Sequence, residues 1–203
     1  ARSVSSAGQL GVVSSTGIDS VFARRLQDGD PGRHMRMALD HFPIPEVADR
    51  ILKKYFQEGG RSEGQPYKVN PMGSIDPSKE WEELIVVANF AEVFLAKLGH
   101  AREVGINLLE KIQLPTLPSL YGAVLAGVDY VLMGAGIPRA IPGVLDKFSK
   151  GMEAQLKLDV KGAAASDNFF SQFNPSRFFS EHLPELKRPR FLGIITSHVL
   201  AQT

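Results

Sequence analysis

Between Val104 and Leu145 the chain reads VGINLLEKIQLPTLPSLYGAVLAGVDYVLMGAGIPRAIPGVL, and this stretch limits the fold more than any other. Val104–Leu109 is a short apolar run broken by one amide, Asn107, and reads as a strand. Lys111–Pro115 is a loop. Leu117, Leu120, Tyr121, Val124 and Leu125 recur at helical spacing. Thr116 is placed to cap that helix, and Pro118 fits its first turn, where no amide donor is missed. Gly127 ends it, since glycine takes the left-handed conformation without a Cβ clash. Tyr130–Met133 is the next strand, and Gly134-Ala135-Gly136 leads into a further helix. Two successive strand–helix units imply parallel strands joined by right-handed crossovers. In such folds chemistry gathers at the carboxyl ends of the strands, which here means Asn107, Glu110, Lys111, Gly134 and Gly136.

The rest of the chain extends the same α/β alternation. Leu10–Ser14 and Arg190–Thr196 read as buried strands, so four core strands are expected: 10–14, 104–109, 129–133 and 190–196. Thr16 with Asp19 resembles a capping box for a helix over Ile18–Gln27. Short helices follow at Arg33–His41 and Glu46–Gln57, the second amphipathic. Asp76-Pro77 is expected to open a long helix that stops at Gly99. The segment 17–99 therefore reads as a mostly helical insertion within a single domain spanning 1–203. Gln155–Val160 alternates as a half-exposed strand does. Gly162–Leu186 is irregular and rich in phenylalanine, which suits either a lid or plain packing onto the scaffold.

Several classes of function are disfavoured. The formal net charge is +1, which gives no general argument for nucleic acid or an anionic membrane. Cysteine is absent, so thiolate metal sites and a cysteine nucleophile are excluded. No apolar run reaches the length of a membrane span and no signal segment opens the chain, so a cytoplasmic protein is expected. The five histidines do not fall at metal-ligand spacing. His198 follows a strand end, where a base could sit, although an ordinary helix-start residue reads the same way. Gly134-Ala135-Gly136 could approach a phosphate or a flat ring but is not a full dinucleotide fingerprint. Asn107 needs a partner, either a loop backbone or a ligand. Glu110-Lys111 reads as a surface ion pair of little weight.

The quoted stretches LGVVSST, ARRLQDGDPG with HMRMALDHFP, VVANFAEVFLAKLGH, VGINLLEKIQLPTLPSLYGAVLAGVDYVLMGAGIPRAIPGVLD and FLGIITSHVLA together resemble the long-chain branch of the nitronate monooxygenase family, once called 2-nitropropane dioxygenases. The resemblance implies a partial (β/α)8 TIM barrel that supplies about strands two to five. It implies FMN as cofactor, and an alkyl nitronate and oxygen as substrates. The family's Gly-Gly-Met-Gly motif would then precede Ala1. Its Gly-Gly-His motif, with the catalytic base, would follow Thr203, so no residue of this chain is expected to be the base and an internal fragment is expected. By motif position, Asn107, Thr196 and Ser197 would face the flavin, and Gly134 and Gly136 would lie on the substrate side. Two alternatives accompany this reading. One is a flavin-dependent enoyl reductase. The other is a non-catalytic half-barrel binding or assembly module, whose open sheet edges would favour pairing into a homo-oligomer.

Overall fold

In the computed structural model four parallel strands form the central sheet in chain order. The structure describes residues 1–164, 166–179, 184–195 and 197–201. The strands are β1 (Gly11–Ser14), β2 (Val104–Leu109), β3 (Tyr130–Gly134) and, after a hairpin, β6 (Arg190–Gly193). The register runs Val13↔Ile106↔Val131↔Phe191 across all four. Strands that follow one another in the sheet without reversal, joined by right-handed crossovers, put every connection on one face. The helices obey this rule. The long helix α5 (Lys79–Lys97) returns the chain from β1 to β2, α6 (Thr116–Leu125) from β2 to β3, and α7 (Ile141–Ser149) follows β3. They cover Val13, Ile106, Val131 and Met133, all buried.

The helical layer continues before and between these elements. It includes α1 (Arg2–Ser6), α2 (Ile18–Gln27), α3 (His34–Asp40) and α4 (Pro45–Tyr55), and one apolar cluster runs through helices and sheet. Helices α5 and α6 meet backbone to backbone at Gly122, where a Cβ would run into the Val86 carbonyl. A strap over residues 59–70 is tied back by Gln27, which is buried and accepts a hydrogen bond from the Lys68 amide at 2.7 Å.

Three helix starts differ from the sequence expectation. Helix α2 is capped by Gly17 in the left-handed conformation (φ 68°), with no side-chain cap. The glycine makes the turn, and Asp19 instead accepts from Asn70 at 3.3 Å. Helix α5 begins at Lys79, because the Ser78 hydroxyl accepts from the Trp81 amide and Glu80 and Glu82 suit the positive end of the helix. Thr116 is the first residue of α6 and its hydroxyl donates backwards to the Ile112 carbonyl at 2.9 Å.

Within Gly162–Leu186, Phe173 and Phe178 pack onto the scaffold. Strand β4 (Ala154–Lys157) pairs antiparallel with β5 (Phe170–Phe173), and a short 3-10 turn, Pro175–Arg177, follows. This hairpin stands apart from the main sheet and lies on α6 and α7. Tyr121, Phe148, Phe173 and Phe178 form an aromatic cluster with ring centroids 5.1–6.5 Å apart. The short helix α8 (His198–Ala201) closes the described chain. Among the described residues no helix is long and apolar enough to cross a membrane.

Strand β6 departs from the expectation of burial. Leu192 is 42% exposed and Ile194, just beyond it, 49%. The physical reason is that, among the described residues, β6 is an edge strand and no helix covers its far face.

Candidate functional site

The face of the sheet opposite the helices is open. Its residues alternate with the buried set: Val12 and Ser14 on β1, Gly105 and Asn107 on β2, Leu132 on β3, Leu192 on β6. Val12 is 37% exposed, and with Leu132, Leu192 and Ile194 it forms an apolar surface facing away from the core. Asn107 sits in the middle of it, between Ser14 and Leu132 in register. Its Oδ1 is buried and accepts no hydrogen bond from any described residue. An unsatisfied buried acceptor costs about 1–3 kcal/mol. No loop backbone among the described residues supplies the partner.

The carboxyl edge of the same sheet carries two further features. Ser15, directly after β1, donates to Asn89 Oδ1 at 2.7 Å. Asn89 is buried in α5 and its amide donates to the Ile85 carbonyl at 2.9 Å and to the Ser119 hydroxyl at 3.2 Å. This polar chain locks the end of β1 to α5 and α6 beneath a small cavity of about 40 Å³. At the end of β3, Gly134 lies on the open face, where a Cβ would approach Ile194 to 3.0 Å. Ala135 then takes a left-handed backbone (φ 59°), a conformation that costs an L-residue roughly 1–2 kcal/mol. Gly136 comes against the Glu110 side chain so closely that any Cβ there would make Glu110 move.

The sequence-derived candidates are therefore divided. Asn107 and Gly134 share the open face, and Gly136 belongs to a separate group with Glu110. Lys111 is exposed, and Glu110 forms no ion pair with it among the described residues. Ser197 is exposed between β6 and α8. Thr196 lies outside the described residues. His198 is exposed at the start of α8. Among the described residues no group of three or more metal-ligating side chains occurs.

The strongest electrostatic perturbations lie away from this edge. At the amino end of β3, burial opposes ionisation of Asp129, but the Lys97 ammonium at 2.5 Å and the Val104 amide at 2.9 Å outweigh it. The carboxyl is held below its ordinary range. Burial pushes Glu82 up, with Arg177 at 3.2 Å acting in the opposite sense. Burial alone pushes the Tyr121 phenol up. These groups fasten elements together: Asp129 joins α5 to β2 and β3, and Glu82 joins α5 to the turn after β5.

Sequence reading passed over Asn89, Ser15 and Ser119. The available signal was one amide inside the otherwise apolar stripe of α5. It also passed over Arg139, in the loop after β3, and Lys157, on β4, which line one cleft with Glu110. Comparison with protein-family models, with curated proteins and with solved structures finds no match to this chain.

Proposed function

We propose that the open face is the flavin-binding face of an FMN-dependent oxidoreductase resembling nitronate monooxygenase, and that the four-stranded sheet is an arc of a (β/α)8 barrel. One observation carries this reading. Parallel sheets are found almost only with both faces covered. Here the second face carries Val12, Leu132 and Leu192 beside Ser14, Asn107 and Arg190, yet helices cover only the first. A barrel buries the second face inside itself. The family resemblance of the sequence points the same way.

The residues present fit the cofactor. A planar ring stacks on apolar surface such as Val12, Leu132 and Leu192 provide, and the ring system carries an N–H donor for the unpartnered Asn107 Oδ1. FMN when bound supplies electron acceptance from an alkyl nitronate, with oxygen as co-substrate, carbonyl compound and nitrite being the products. Asn107 would hold the polar edge of the ring, and Thr196 and Ser197 would lie near it. Gly134 would border the substrate, whereas Gly136 lies with Glu110 away from this face. Nothing in this role calls for a membrane or nucleic acid, and a cytoplasmic setting suits it.

Titration of riboflavin and FMN, followed by flavin fluorescence, tests the proposal. Saturable binding is expected, weakened about tenfold (~1.4 kcal/mol) in Asn107→Leu, the worth of one hydrogen bond to a buried group. Absence of binding, or equal binding by the variant, would refute it. Rapid bleaching of bound flavin by NAD(P)H would instead favour an enoyl reductase. The two sheet edges left unpaired among the described residues, β1 and β6, favour one second reading, a half-barrel assembly module. That module would dimerise and leave flavin unbound.

A further inference from the structure

The cleft beneath Glu110 lies on the other side of the sheet from Asn107. Residues at even positions of β2, Val104, Ile106 and Leu108, face the helices, and Glu110 continues their alternation beyond the strand end. Its carboxylate borders a cleft of about 210 Å³ between the loop after β3 and strand β4. Met133, Ile141, Leu156 and Leu158 give the cleft apolar walls. Arg139 and Lys157 also line it. Among the described residues none of these three charged groups has an ion-pair partner, and neither cation comes within 4.0 Å of Glu110. The charges thus share a cleft without neutralising one another. The other side-chain polar groups are already used. Gln113 exchanges two hydrogen bonds with the Asp159 backbone, at 3.1 and 2.6 Å, and Thr116 bonds to Ile112.

Two backbone features hold this arrangement. Gly136 gives the Glu110 carboxylate room that any Cβ would take. Ala135 keeps a left-handed conformation to bring Gly136 there. Strain of this kind persists where the surroundings impose it, and it gathers at ligand sites.

We propose that this cleft binds a small zwitterion with an aliphatic body, an α-amino acid of the leucine type. The ammonium sits on Glu110, the carboxylate is met by Arg139 and Lys157, and the side chain lies among Met133, Ile141 and Leu156. The volume is below the roughly 300 Å³ at which drug-sized pockets begin, which suits a single amino acid. Opposite charges held apart in one cleft distinguish a zwitterion from a simple amine or a simple acid. The site is independent of the flavin reading, since the two lie on opposite faces of the sheet.

Calorimetric titration of the full chain with L-leucine, 3-methylbutylamine and 4-methylpentanoate tests this. The last two carry the same aliphatic body with only one charge. Leucine is expected to bind at least tenfold more tightly than either. Glu110→Gln and Gly136→Ala should each weaken leucine at least tenfold. Arg139→Gln, an exposed change that spares folding, should weaken leucine but leave the amine unaffected. Riboflavin binding should be the same in Glu110→Gln and Arg139→Gln as in the parent, which separates failure of this site from failure of the flavin face. The proposal is overturned if leucine does not bind, if the amine alone binds as tightly, or if Arg139→Gln leaves leucine affinity unchanged.

Discussion

Asn107 and Tyr121 both bury an oxygen that no described residue satisfies, and their surroundings give the two opposite meanings. Asn107 is half-buried on the open face, so a ligand there meets its amide once the side chain turns outward. Tyr121 is enclosed by Phe148, Phe173 and Phe178, and its hydroxyl finds no hydrogen-bond partner among the described residues. The phenol is therefore a cost of packing an aromatic ring there. Tyr121→Phe should keep the unfolding free energy equal to the parent or raise it by up to about 1 kcal/mol, because an unpaired polar group is removed without changing the ring. Urea denaturation measures this, and a loss above about 1 kcal/mol would mean that the hydroxyl has a partner. At this scale Asn107 is legible in the sequence because an amide interrupts an apolar strand. Asn89 is harder to see, since its partners Ser15 and Ser119 lie 74 and 30 residues away and meet it only in the fold. The zwitterion cleft is not legible at all: Lys157 joins Glu110 and Arg139 through a hairpin whose second strand, Phe170–Phe173, shows no alternation to mark it.

Elements are legible where hydrophobic spacing decides them and misread where a single side chain does. Helix α2 over Ile18–Gln27 and strand β2 over Val104–Leu109 occupy the residues their patterns predict. Their ends follow competition between neighbours. Gly17 displaces Thr16 as the cap of α2, and Ser78 displaces Asp76 at α5, since in each case the residue next to the helix has the better geometry. Asp129 shows how elements are joined. It binds the start of β3 to Lys97 of α5 and to the first amide of β2, with Lys187 before β6 at 3.8 Å. Its folded pKa lies below its unfolded one. The stabilisation is therefore complete above the unfolded value, about 3.9, and is lost as pH falls through the folded value. Asp129→Asn should destabilise the parent at pH 7 by roughly 1.5–3 kcal/mol, the range for hydrogen bonds to a charged group. It should also flatten the fall in stability below pH 4. Thermal melts between pH 3 and 7 check both. A variant with the parent's acid limb would show that the charge of Asp129 does not matter.

For the whole molecule, the parallel sheet and its chain-order topology are legible from two adjacent strand–helix units, because crossover handedness leaves few alternatives. What the sequence does not reveal is which faces are covered. Leu10–Ser14 and Arg190–Thr196 are apolar enough to be buried on both sides, whereas in the fold the helices take one side and Val12, Leu192 and Ile194 stay exposed on the other. The proposed flavin site rests on this difference between the two faces. The most direct test is to add riboflavin to isotope-labelled chain and follow the amide resonances. If the open face holds the flavin, shifts concentrate at Val12, Asn107, Leu132 and Leu192, with the helix-facing Val13, Ile106 and Val131 little changed. Shifts confined to the helical layer, or none at saturating riboflavin, would contradict that assignment.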